Sequence, residues 1–144
     1  MRRFVIAALL AMLMLVLAVS AAFATSPHFL FANVTSVTSN TITVAFKEAG
    51  LGNSLNSVTI TLNGTAECIN PGSKHPKAAN KESVSASGVF SVSNGQAHGS
   101  LTATANLSPP CSPPMEICWT DLVVTDAQFN DSISIPGTFC PPFP

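Results

Sequence analysis

From Phe29 onward, apolar and polar residues alternate with a period of two, and that feature rules out most folds. A strand turns successive side chains to opposite faces, whereas a helix brings a face round every 3.6 residues. Ile42, Val44 and Phe46 alternate with Thr41, Thr43 and Lys47. Val58, Ile60, Leu62 and Ala66 alternate with Thr59, Thr61, Asn63 and Thr65, and Cys68 closes that run on its apolar parity. A short first strand sets Leu30, Ala32 and Val34 on one face against Phe31, Asn33 and Thr35. Trp119, Leu122 and Val124 mark a sixth strand, and Ile133, Ile135 and Phe139 a seventh.

The sharpest local signal lies between the third strand and the sixth. Val84, Ala86, Phe90 and Val92 share one face, with serines on the other. Asn94-Gly95 then supplies the favoured two-residue type I′ turn. The return segment puts Ala97, Leu101, Ala103, Ala105 and Leu107 on one side. This predicts a hairpin in which Val92 faces Ala97, Phe90 faces Gly99 and Ala86 faces Ala103, with both apolar sets on the same side. Seven short antiparallel strands in one domain fit an all-β, two-sheet sandwich of immunoglobulin-like architecture, with a small β-barrel as the alternative. The one tryptophan, Trp119, follows Cys118 directly instead of lying between two bridged cysteines, so any immunoglobulin kinship is architectural only.

Ahead of this pattern, Arg2 and Arg3 precede the apolar run Phe4–Ala18, and Ala22-Phe23-Ala24 offers small residues for cleavage before Thr25. Residues 1–24 therefore read as a secretory signal peptide, and residues 25–144 as a single β-sandwich domain. A membrane anchor is the rival, because Phe4–Ala24 approaches the roughly 20 residues that span a bilayer. No basic stop-transfer cluster follows, so no stable membrane span is expected after cleavage. The exported part holds four lysines against seven acids, a net charge near −3. That balance argues against nucleic acid, which needs a basic stripe.

All four cysteines, Cys68, Cys111, Cys118 and Cys140, lie in the exported part, and an even count outside the cell reads as two disulfides. Zinc and other metals are not expected, since C-x6-C is the wrong spacing for a knuckle. A hairpin of the last two strands brings Cys118 near Cys140 and leaves Cys68 for Cys111. Strict parity from the Asn130-Asp131 turn sets Cys118 and Cys140 on opposite faces, so that pairing requires a bulge near Pro136-Gly137. Cys111–Cys118 with Cys68–Cys140 therefore stays open.

The longest break in the alternation is Cys68–Glu82, which carries His75 and three of the four exported lysines. Loops on a rigid sandwich are where binding residues concentrate, so Asn70, His75, Lys77, Asn80 and Lys81 are the candidate binding residues. Amide and ammonium donors of this kind suit a sugar or an acidic partner, such as a cell-surface glycan or protein. The plainer account is that asparagines cap turns in a long loop and His75 is a solvated imidazole. Lys74 and Lys77 flank His75 and would lower its pKa, a poor setting for a general base. His98 falls on the polar parity of its strand, and no serine lies in a G-x-S-x-G elbow. No catalytic residue and no cofactor are expected. Four sequons begin at Asn33, Asn63, Asn106 and Asn130, and such matches arise easily in a chain rich in Asn, Ser and Thr.

Several pieces resemble a group of small secreted bacterial proteins of unknown function. They are Phe46–Gly52, Cys68-Ile69-Asn70 followed by His75-Pro76-Lys77-Ala78-Ala79-Asn80-Lys81, Ser85–Phe90, and Val124-Thr125-Asp126 running to Pro136-Gly137-Thr138-Phe139. Such proteins carry two cysteines and a glycine-rich loop after the first, whereas this chain has four cysteines and Pro71-Gly72-Ser73-Lys74. The resemblance implies that Cys68–Cys111 is the shared bridge and Cys118–Cys140 an addition. It implies secretion and fold, and no activity. The expected function is a secreted, disulfide-stabilised binding or surface-interaction module. The alternatives are a secreted hydrolase using His75 with a distant carboxylate, and an envelope protein without a ligand.

Overall fold

The computed structural model describes residues 26–70 and 76–142, with residues 76–79 described by backbone alone. The proposed leader, residues 1–24, lies outside them. Seven strands form in order: β1 (His28–Val37), β2 (Thr41–Ala49), β3 (Ser57–Ile69), β4 (Pro76–Ser91), β5 (Ala97–Thr104), β6 (Glu116–Asp126) and β7 (Asp131–Ile135). They pair antiparallel in two sheets, β1-β2-β5 and β4-β3-β6-β7. The sheets stack as a β-sandwich and do not close into a ring, so the small-barrel alternative is set aside. No helix among the described residues is long and apolar enough to cross a membrane.

The alternation read from the sequence is the alternation of burial. Along β2, Ile42, Val44 and Phe46 are buried while the residues between them are half-buried. Val58, Ile60 and Leu62 of β3, Leu101 and Ala103 of β5, and Leu122 and Val124 of β6 fill the same interlayer space. Each large apolar side chain taken from water contributes about 1.5–3 kcal/mol. Trp119 and Leu122 are both buried despite their odd spacing. Between them Asp121 takes φ 52°, and the β3–β6 ladder slips from Asn63↔Val123 to Thr65↔Thr120, so a bulge restores the inward parity.

The expected hairpin is only half correct. Asn94 and Gly95 do take the left-handed φ values of a type I′ turn, 52° and 70°, and Ser93 and Gln96 exchange two backbone hydrogen bonds around it. Beyond that bridge the strands part. β4 pairs with β3, setting Phe90 beside Val58 and Ala86 beside Leu62, while β5 pairs with β2, setting Gly99 beside Phe46 and Leu101 beside Val44. Neither Ala86–Ala103 nor Phe90–Gly99 is a ladder pair. Two apolar faces turned to one side bury more when they face each other across a core than when they lie side by side. Phe90 still meets Gly99, but through its ring: a Cβ on Gly99 would collide with the Phe90 side chain.

β1 departs from simple alternation as well. Register shifts at Phe29/Phe31 and Val34/Ser36 turn Phe29 onto Phe46, with ring centroids 6.2 Å apart at 78°. Leu30, placed by sequence on the face of Ala32, is instead 49% exposed.

Both leading disulfides are present, Cys68–Cys111 and Cys118–Cys140. The bulge that the second requires is there. Leu122 pairs with Ile135 and Trp119 with Phe139, so three steps along β6 match four on the return segment, where Gly137 takes φ 124°. Cys68 pairs with Ile117 and Glu67 with Cys118, which puts both bridges at one end of the sandwich.

Two measurements check this packing. Replacing both Cys68 and Cys111 by alanine lowers the unfolding free energy by about 2–5 kcal/mol, as expected for a bridge closing a long loop, in urea titrations. Gly99→Val costs about 1–3 kcal/mol through overpacking against the Phe90 ring, and a neutral result would mean the ring lies elsewhere.

Candidate functional site

The predicted binding segment is less of a loop than its composition suggests. β3 runs on to Ile69 and β4 begins at Pro76, so only residues 70–75 connect them. Lys77, Asn80 and Lys81 are therefore on a strand, a correction to the loop reading. Sequence misses this because the segment has no clean apolar parity. Its pairing is irregular: Glu67 faces Lys81 and Ile69 faces Pro76, so two steps along β3 match five along β4. Residues 77–80 thus lie opposite the single residue Cys68, a surplus of three that bulges from the sheet edge.

Asn70 and Lys81 are exposed and Asn80 is half-buried, all at the end of the sheet that carries the disulfides. His75 and the Lys77 side chain lie outside what is described. Cys68–Cys111 ties this end of β3 to the proline-rich segment before β6. On β4, Glu82 Oε1 accepts a hydrogen bond from the Asn106 N–H and so holds that strand to the segment leaving β5.

Among the described residues, the other histidines form no acid–base pair. His98 is exposed on β5, and exposed His28 bonds through Nδ1 to the Ser26 carbonyl at 2.8 Å. Glu116, Cys118 and Cys140 bring potential ligand atoms within 4.8 Å of one another, but both cysteines are consumed by their disulfide. Where the Asp121 and Gly137 irregularities meet, an open groove of about 510 Å³ runs past Thr120, Asp121, Ser134, Pro136 and Thr138. Thr120 Oγ1 reaches Asp121 Oδ2 at 3.3 Å and Glu67 Oε1 at 3.4 Å there. The asparagines of all four sequons are exposed.

The unusual chemistry is at the opposite end, in residues the sequence reading passed over. Glu48 ends the inward row of β2, and Asp126 ends the inward row of β6. Both are completely buried, and they enter the interlayer space from opposite sheets. Asp131 stands beside Asp126 in the β6–β7 ladder. One oxygen of each aspartate is engaged: Asp126 Oδ1 accepts from the Gln128 N–H at 2.8 Å, and Asp131 Oδ2 accepts from the Phe29 N–H at 3.0 Å. Both Glu48 oxygens and Asp126 Oδ2 are buried without a hydrogen-bond partner among the described residues. Parity was the available signal, since Glu48 follows Phe46, and Asp126 follows Val124, at a spacing of two.

Such burial disfavours the charged form. Burial first, then the charges of Asp126 and Asp131, then proximity to Asp126 as a proton acceptor, push Glu48 from an ordinary 4.5 up to about 7. Once Glu48 carries its proton it can donate to Asp126, and that hydrogen bond also favours its neutral form. Each of these influences acts in the same direction, and no cation among the described residues offsets them.

No protein-family model matches the chain, and no curated protein matches it.

A stability dependence follows. An acid whose folded-state pKa lies above its unfolded value costs nothing where both states are protonated. Stability is therefore lost as pH rises from about 4.5 to about 7 and stays lost above. At about 1.4 kcal/mol per unit the loss is on the order of 3 kcal/mol. Glu48→Gln should gain on the parent as pH rises through this window. Parallel stability curves for the two proteins would refute the assignment.

Proposed function

We propose that this protein is a secreted binding or surface-interaction module that presents the β3–β4 end of its sandwich to a cell-surface glycan or an acidic protein partner. The observation that carries the reading is the welding of that end. Cys68–Cys111 joins β3, just before the connection, to the proline-rich segment, and Cys118–Cys140 lies on the neighbouring strand. A platform fixed in this way loses little conformational entropy on binding. Exposed Asn70 and Lys81 supply amide and ammonium donors on it, with His75, Lys77 and Asn80 in the same stretch of chain.

Export is supported by the bridges, which persist in oxidising compartments, by the signal-like residues 1–24, and by the resemblance to small secreted bacterial proteins. The immunoglobulin-like reading is supported by the grouping of the first, second and fifth strands in one sheet and the third, sixth and seventh in the other. The fourth strand differs from the constant-type arrangement by joining the third strand's sheet. Catalysis has no part in this proposal.

Screening the purified protein on a glycan array, with Lys77→Ala and Lys81→Ala alongside, tests it. Each substitution should weaken retention about tenfold, the loss expected for one charge-assisted hydrogen bond. No retained glycan or acidic protein, or equal retention by both variants, defeats the proposal.

A further inference from the structure

A strand at the edge of a sheet leaves every second N–H and C=O unpaired, and folds commonly blunt such edges with charge, proline, bulges or brevity. β7 has five residues and opens on Asp131. β1 slips register twice, and its Phe29 N–H is taken by Asp131 Oδ2. β5 turns only polar side chains outward, His98, Ser100, Thr102 and Thr104. β4, the remaining edge, is different. Its residues 83–91 contain no charge and no proline, and they pair with β3 without a register shift. Val89 stands on their outer face, 71% exposed.

The backbone parity of this stretch follows from one bond. The Val92 N–H donates to the Asn56 carbonyl, and antiparallel ladders alternate hydrogen-bonded and non-hydrogen-bonded pairs. The even-numbered residues of β4 therefore bond β3, while Ser83, Ser85, Ser87, Val89 and Ser91 direct their N–H and C=O groups away from it. The Thr61 and Ser87 hydroxyls approach to 3.1 Å, as suits a non-hydrogen-bonded pair with its closer side chains. Among the described residues no strand pairs with these outward groups.

We propose that this edge pairs antiparallel with the same edge of a second copy, joining two four-stranded sheets into one of eight across a twofold axis. The stretch is self-complementary about Ser87. With Ser87 on the axis, Ser83 lies beside the partner's Ser91, Val84 beside the partner's Phe90, Ser85 beside the partner's Val89 and Ala86 beside the partner's Gly88. Inward apolar residues then keep apolar or glycine neighbours, and outward serines meet serine or valine. Charge is matched as well. Lys81 and Glu82 fall beyond the paired stretch, opposite the partner's Ser93 and Val92, so no like charges are opposed. A charged peptide would lack that match on both faces, whereas this chain supplies an uncharged strand of the same alternation. The contact is about 30 Å long and one strand wide. It buries less than a standard interface, so the dimer is weak, with a dissociation constant in roughly the micromolar to millimolar range. It does not rest on the recognition proposed for the β3–β4 connection.

Sedimentation equilibrium of the purified protein, from about 10 µM to 1 mM, is the test. The mean mass should rise from monomer towards dimer and stop there. Val89→Lys puts a charge on the edge, and Ser85→Pro removes an outward N–H without taking a bond from β3. Each should raise the dissociation constant at least tenfold, the effect of about 1.4 kcal/mol. Ser100→Lys, on the β5 edge, should leave it unchanged. Should the β4 variants fail to fold, amide exchange of the unmutated protein decides. Ser83, Ser85, Ser87, Val89 and Ser91 should exchange more slowly in concentrated than in dilute solution. A monomer throughout the range, growth beyond the dimer, or association kept by the folded Val89 and Ser85 variants would overturn the proposal. So would association lost in the Ser100 variant, or outward amides that exchange equally fast at both concentrations.

Discussion

Phe46 is where the two sheets lock, and much of the architecture can be read as the means of letting its ring be covered. It takes the edge of Phe29 from β1 and of Phe90 from β4, at centroid distances of 6.2 and 4.7 Å. Such edge-to-face contacts add to simple burial. Phe29 reaches it only because β1 slips register there. Phe90 reaches it only because residue 99, beside Phe46 on β5, is glycine and leaves room for the ring. The Asn94-Gly95 turn then has to deliver β4 and β5 to opposite layers, since a flat hairpin would put Phe90 beside the Phe46 sheet instead of above it.

That geometry explains which parts of the fold were legible in the sequence. Period-two alternation records which face of a strand is buried, so it located the strands and the core faces of β2, β3 and β5. It does not record which neighbour a strand pairs with. Ala86, Phe90, Leu101 and Ala103 have the same pattern whether they lie in one sheet or face each other across two. Bulges escape a parity reading where nothing in the chain requires them, as at Leu30 and Asp121. The bulge before Phe139 was inferable because pairing Cys118 with Cys140 is impossible without it.

The candidate sites divide along the same line. The polar stretch 68–82 was visible by composition, yet its absence of apolar parity concealed that β4 already runs through Lys77, Asn80 and Lys81. Glu48 and Asp126 were hidden for the opposite reason. Each continues an inward row without interruption, and a single acid at a strand end looks like the solvated close of that strand. Only the stacking of the sheets shows that the two rows end against each other, and stacking is a long-range property that no window of sequence contains.

The two ends of the sandwich are consequently held by different chemistry. At one end, sulfur bridges fix β3 and β6 to the segments beside them regardless of pH or ions. At the other, the layers meet through carboxylates bonded to backbone N–H groups of Phe29 and Gln128, and through acids left without partners. A domain of this size unfolds as a cooperative unit. Protonation at the acidic end therefore raises the stability of the whole, the disulfide-tied end included. The covalent end sets the shape of the surface proposed here for recognition, and the acidic end sets how firmly the body beneath it holds together at a given pH.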